Sequence, residues 1–169
     1  WHWNEDTEQA FDEVIQSGNP DASEMLRAMR SFLGENDMMA YLTMMAVRLI
    51  ELHRVLKPNG SLYLHCDPTA SHYLKLLLDS IFGARYFGNE IVWKRTTTHS
   101  DSKTWSRVCD YILFYTKSDF FIWNTPRVPH SEHYRSSKYR HDDFDGRGPY
   151  RLDNMVSPSP RPNMMYDWM

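Results

Sequence analysis

The chain is poor in cysteine and glycine, with 2 Cys and 7 Gly among 169 residues. Cys66 and Cys109 show no CxxC pattern and no Cys/His ligand spacing, which excludes a disulfide scaffold and a zinc module; both sit in apolar runs that predict buried strands. The few glycines form no phosphate-cradling loop, and Gly146-Arg147-Gly148 is too short to indicate a cofactor. No apolar run approaches the ~18 residues of a membrane span, and the opening Trp1-His2-Trp3-Asn4-Glu5-Asp6 is the opposite of a secretory signal. The expectation is a cytoplasmic protein with no membrane partner. An excess of positive charge is also missing: the net charge is −3. A body held to nucleic acid by charge alone is excluded, so any such contact must be local. His130, His133 and His141 with Asp142, Asp143 and Asp145 match neither zinc nor EF-hand spacing, so no metal is expected. No Ser-His-Asp or Cys-His arrangement, internal repeat or low-complexity tract stands out.

What is present is helix and strand periodicity in alternation. Thr7 to Ile15 predicts a short acidic helix, and Asn19-Pro20-Asp21 turns into a second from about Ser23 to Leu33, closed by Gly34. The third helix opens at Asn36 or Asp37 and carries Leu42, Met45, Leu49, His53 and Leu56 at spacings of three and four. Lys57-Pro58-Asn59-Gly60 stops it, and Ser61 to Cys66 predicts a buried strand. Thr69 or Ser71 is expected to cap the next helix, whose Leu74, Leu77, Leu78, Ile81 and Phe82 fall on one face up to Gly83. Asn89 to Arg95 and Val108 to Thr116 predict two strands joined by a polar loop without a helix, hence antiparallel. The pattern implies an α/β fold: a mostly parallel three-layer sheet with an antiparallel strand near one edge. From about residues 117 to 124 the composition turns to proline, arginine, histidine, tyrosine and aspartate. That segment has too many aromatic side chains for an ordinary disordered tail and is expected to order against something else.

Ligands of open α/β sheets bind beyond the carboxyl ends of the strands. His65, Asp67, Lys94, Arg95, Thr96 and Asp110 are therefore expected on one rim. Asp67 has two readings there, a cap for the following helix or a cleft carboxylate. His65 reads first as a satisfied core or rim histidine and Trp93 as core. Lys94 and Arg95 reach phosphates or are solvated edge charges. The loop from Thr96 to Lys103 is either a flexible DNA contact or plain surface. These observations alone do not name a reaction.

Four blocks carry a more specific signal. They are Leu49 to Asp67 with its Leu56-Lys57-Pro58-Asn59-Gly60 stop, His65-Cys66-Asp67-Pro68-Thr69-Ala70-Ser71-His72-Tyr73-Leu74-Lys75 with Ile81-Phe82-Gly83, Phe87-Gly88-Asn89-Glu90-Ile91-Val92-Trp93-Lys94-Arg95, and Asp110 to Lys117. In order and spacing they resemble beta-class amino DNA methyltransferases, the adenine-N6 and cytosine-N4 enzymes. The stretches Gly148 to Asn154 and Arg161 to Trp168 look like that family's target-recognition region. The family's Asp-Pro-Pro-Tyr catalytic motif and its glycine-rich Phe-x-Gly-x-Gly motif are not in this sequence. With a start at Trp1 and a stop after Tyr166-Asp167-Trp168, the expectation is an internal fragment.

The resemblance implies part of a Rossmann-like sheet over residues 1–117 and the start of a target-recognition region over 118–169. It implies transfer of a methyl group from S-adenosyl-L-methionine, bound mainly by sequence outside this chain, to the exocyclic amine of a base flipped from double-stranded DNA. Adenine N6 is favoured on family frequency. Asp67, Lys94, Arg95 and Asp110 would form the outer wall of the target-base pocket. Lys94, Arg95, Lys103, Arg147, Arg151 and Arg161 would contact DNA, with Tyr134 and Tyr139 nearby. A homodimer and a restriction subunit are conceivable partners under this reading, and the fragment alone is expected to be inactive. The competing expectations are a noncatalytic DNA-binding module with the same sheet and a methyltransferase acting on a non-DNA substrate.

Overall fold

The computed structural model describes residues 1–97 and 103–153. These fall into two compact units, one from Trp1 to Trp123 and one beginning at Asn124. The first holds the helices α1 (Glu5–Gln16), α2 (Pro20–Leu33) and α3 (Asp37–Val55), the strand β1 (Ser61–Cys66), the helix α4 (Ser71–Phe82), and the strands β2 (Phe87–Lys94) and β3 (Cys109–Thr116).

Asparagine starts each of the first three helices. The side chains of Asn4, Asn19 and Asn36 accept the backbone N–H of Thr7, Ala22 and Met39 at 3.0, 3.1 and 2.9 Å, satisfying donors that a helix start leaves orphaned. Pro20 occupies the first turn of α2, where it has no N–H to lose. Gly34 and Gly83 end α2 and α4 with positive φ. The α4 start differs from expectation. Neither Thr69 nor Ser71 caps it, and no side chain does; Asp67 instead closes the turn just before the helix, accepting from the N–H of Thr69 at 3.1 Å and of Ala70 at 3.2 Å.

Burial on α3 is rotated slightly from the expected stripe. Met39, Leu42, Ala46 and Leu49 are fully covered, whereas Met45, His53 and Leu56 are only partly so. They join Val14, Leu26, Leu74, Leu77, Leu78, Leu113 and Tyr115 in one core. Tyr115 ties the sheet to α4: its hydroxyl donates to Asp79 Oδ1 at 2.6 Å, and Lys75 bridges to the same carboxylate at 2.7 Å. Burial and that hydrogen bond raise the phenol pKa and keep Tyr115 neutral.

The sheet order is β1-β3-β2, with β3 antiparallel to both neighbours. The expected antiparallel pairing of β2 with β3 is present, and β3 lies between β1 and β2. No parallel pair occurs among the described residues. Since β1 and β2 both oppose β3, they run in the same direction: β1, α4 and β2 form a crossover with the third strand inserted between its two strands. The central position suits β3 because Leu113, Phe114 and Tyr115 are all buried.

Gly88 marks an irregularity in β2, where the register shifts between Phe87 and Asn89. A Cβ at Gly88 would lie 2.4 Å from the Phe114 ring, so the strand can cross that ring only without a side chain.

In the second unit, Ser131 caps the short helix α5 (Glu132–Lys138) by accepting from Tyr134 N–H at 3.2 Å. His141 and Tyr150 form an antiparallel bridge. No described residue from 124 to 153 is buried.

Candidate functional site

The shared direction of β1 and β2 brings their carboxyl ends to one rim, next to the start of β3. In register, Cys66 lies opposite Tyr111, Trp93 opposite Asp110, and Lys94 opposite Cys109. Strand alternation then sorts the side chains. Tyr63, His65, Ile91, Trp93, Asp110, Ile112 and Phe114 share the sheet face opposite the helices.

Asp110 is the centre of the rim. Its side chain is 4% exposed, and its two oxygens serve different partners: Oδ2 meets His65 Nε2 at 3.0 Å, and Oδ1 lies 3.3 Å from Arg95 Nη1. The Arg95 contact is an ion pair without hydrogen-bond geometry, which leaves Oδ1 without a hydrogen-bond donor. A buried carboxylate needs such partners, because desolvation without compensation is expensive. Arg95 is held from the backbone side as well, donating its N–H to Val108 O at 2.8 Å. Arg107 reaches Thr69 Oγ1 at 3.4 Å, linking the loop before β3 to the loop after β1.

Of the four expected pocket-wall residues, Arg95 and Asp110 are in contact. Asp67 spends Oδ1 on the N–H groups of Thr69 and Ala70 in the turn before α4 and borders a shallow depression with Trp1, Tyr41, Thr69 and Ala70. Lys94 ends β2 exposed and points away from the face that carries Trp93. Two neighbours were not in the expected wall. His65 is a rim residue bound to Asp110, and Trp93 is 53% exposed rather than core, with its ring 5.8 Å from the His65 ring. The signal for both was available: on a strand, residues 63 and 65 share a face, as do 91 and 93. Which face the helices cover could not be read from alternation alone.

Cys66 closes the rim from the helix side. Burial and the nearby carboxylates of Asp67, Glu90 and Asp110 push its thiol up to about 11, so it stays protonated and is a poor nucleophile. Burial likewise raises the pKa of Tyr41, with Cys66 and Asp67 adding to it. A groove along α1 and α3, lined by Val14, Val47, Ile50 and His53, shares no residue with this rim.

The expected DNA-binding cations divide. Lys103 is exposed. Arg147 pairs with Asp145 at 2.5 Å, and Arg151 pairs with Asp153. Those guanidiniums are neutralised by acids two residues away, a relation that spacing alone did not reveal. Arg135 and Lys138 on α5 carry no ion pair among the described residues, and Tyr134, Tyr139 and His130 cluster beside them with centroids 4.6 to 6.5 Å apart. Arg161 and the recognition-like stretch to Trp168 lie outside the described residues, as do residues 98–102 of the polar loop.

Among the described residues no group of three or more His, Cys, Asp or Glu could hold a metal ion. A family model described as DNA methylase, of the N6/N4 type, matches residues 15–162. The chain belongs to the N6/N4 DNA methylase family. Within that family it is 32% identical over 123 residues to the type II methyltransferase M.EcaI of Enterobacter cloacae, covering 72% of this chain and 27% of that protein. It is 27% identical over 135 residues to the type II methyltransferase M.KpnI of Klebsiella pneumoniae, covering 75% and 30%. Over 94 residues it is 34% identical to the Mod subunit of the type III restriction-modification enzyme StyLTI of Salmonella typhimurium, covering 55% and 14%. The chain thus spans less than a third of each of these methylase relatives.

Among the described residues, Gly34 and Gly83 end helices, Gly60 precedes β1 and Gly88 sits in β2. None opens a helix at a strand's carboxyl end, where a cofactor loop would lie. Among the described residues there is no glycine loop of that kind.

Proposed function

We propose that this chain is the scaffold and DNA-facing part of a methyltransferase that modifies the exocyclic amine of a base flipped out of double-stranded DNA, adenine N6 in particular. The observation that carries this reading is the meeting of His65, Arg95 and Asp110 at the carboxyl rim of a chain that matches the DNA methylase family from residue 15 to 162. Residues 1–117 belong to the catalytic domain and 118–169 begin target recognition. S-adenosyl-L-methionine would be held mainly by sequence outside this chain.

In this reading Asp110 and Arg95 shape the outer wall of the base pocket, and Asp67 orients the loop after β1. Lys94 and Lys103 offer exposed charge to phosphates. Arg147 and Arg151 reach DNA by exchanging their aspartate partners for phosphate, so part of their attraction is offset. The relation to a Mod subunit extends the proposal to partnership with a restriction subunit; a homodimer is compatible with it.

The test uses the full-length protein with labelled S-adenosylmethionine and unmethylated duplex, followed by digestion to nucleosides. N6-methyladenine is expected. N4-methylcytosine would move the target base, and no transfer to DNA would sink the reading. The 169-residue chain alone should neither bind the cofactor nor methylate; micromolar cofactor affinity by calorimetry would contradict this.

A further inference from the structure

The loop that joins β2 to β3 leaves the carboxyl end of one strand and returns to the start of the other, so both of its feet stand on the rim. Backbone pins the first foot: Arg95 and Thr96 donate their N–H groups to Val108 O at 2.8 and 3.3 Å. A side chain pins the second, where Arg107 reaches Thr69 Oγ1 at 3.4 Å in the turn after β1. Ser106 has its hydroxyl buried, while its neighbour Trp105 is 97% exposed. Among the described residues no other large apolar side chain stands so fully in water. An indole placed there adds nothing to the core. Its neighbours along the chain are cations: residues 94 to 107 hold Lys94, Arg95, Lys103 and Arg107 against one acid, Asp101, in a chain whose net charge is −3. Lys94, Lys103 and Arg107 are exposed. This is the local positive charge that contact with DNA requires. Phe144, the next most exposed ring at 92%, is flanked instead by Asp142, Asp143 and Asp145, whose carboxylates repel phosphate.

We propose that Trp105 is a wedge that enters the duplex where the target base has left and stacks on the bases that remain, while Lys103 and Arg107 draw the adjoining phosphates to the loop. The inference rests on the methyltransferase reading above. Extruding a base costs its pairing and its stacking on both neighbours. An indole in the gap restores stacking without reading sequence, because every base has a π-face. Trp105 touches the duplex and not the extruded base. Its effect therefore falls on the opening of the target pair and not on transfer to a base that is already out.

The test uses the full-length protein and a duplex with a site that the wild type methylates, in two forms. In one the target base is paired; in the other it stands opposite an abasic position and has no partner to leave. W105A is expected to lower kcat/KM on the paired duplex by about tenfold or more and far less on the unpaired one. W105F keeps an aromatic face and should recover much of the loss. The deciding measure is the ratio of the two kcat/KM values for one variant, which does not depend on its folded fraction. K103A should instead weaken binding of both duplexes alike and make its salt dependence shallower; a selective loss on the paired duplex there would assign the effect to charge and not to the ring. An equal loss on both duplexes in W105A, or no loss on the paired one, overturns the proposal and leaves the methyltransferase reading standing. A wild type that transfers no methyl to DNA overturns both.

Discussion

The sheet has one covered face and one open face, although the same three strands supply both. On the covered face Cys66, Leu113 and Tyr115 lie in the core with α4 and the helices beyond it. On the open face Tyr63 is 54% exposed and Ile91 42%, and the Tyr63 ring stacks on Phe114 at 4.7 Å. Phe121 and Trp123 extend that aromatic row, each itself partly in water. Apolar character is similar on the two sides, so alternation alone would predict two buried faces. The difference teaches that this unit is stabilised from one side. Its open side combines apolar surface with the Asp110 cluster, as expected of a face that meets something else.

The comparison can be broken most severely from the covered side. Leu113→Ala removes a fully buried side chain from the central strand and should cost about 2–5 kcal/mol in chemical denaturation; a loss comparable to a surface change would mean that the core is not where the structure has it. Gly88→Ala forces a methyl group into the Phe114 ring and should destabilise by about 1–3 kcal/mol, through overpacking at the junction of the two faces. Asp67→Ala frees the N–H groups of Thr69 and Ala70 in the turn that leads into α4, with an expected loss of about 1 kcal/mol, while Asp67→Asn should retain most of that turn.

On the open side, Tyr63→Thr with Ile91→Thr should leave stability within about 0.5 kcal/mol per site. The same change should reduce self-association of the 169-residue chain in sedimentation velocity. A large stability loss there would show that the face is covered within the unit. The smallest effect concerns pH. Burial, helped by the Lys117 ammonium, holds His53 below its ordinary 6.5. The folded state then binds fewer protons than the unfolded one. Stability from this group is complete above about pH 6.5, declines as pH falls through that value, and levels off below the folded pKa. His53→Gln should flatten that acid slope, measured as the denaturation midpoint between pH 7 and 5.

Much of the first unit was legible in the sequence because its signals are local. Asn36 as a cap, Gly34 and Gly83 as helix ends, and the apolar spacing of Leu74, Leu77, Leu78 and Ile81 require only neighbouring residues to be understood. The third strand announced itself by composition but not by position. Its insertion between β1 and β2 depends on pairings about 50 residues apart along the chain, such as Cys66 with Tyr111. The site was legible in part for the same reason. Strand ends locate His65, Asp67, Arg95 and Asp110 on one rim, while Trp93 reads as core because the face that the helices cover is not encoded in alternation. In the second unit, the Arg147 and Arg151 pairs arise from turn geometry in a stretch without a helical or strand period.

By itself the sequence determined the order of helices and strands in the first unit, the helix ends at Gly34 and Gly83, and the family, since each is carried by short-range pattern or by linear blocks of residues. Only the tertiary structure decided that β3 lies in the middle, that one sheet face stays open, and that Asp110 is buried between His65 and Arg95. Those outcomes follow from long-range backbone pairing, which places side chains from three strands around one carboxylate, and no local preference encodes that meeting.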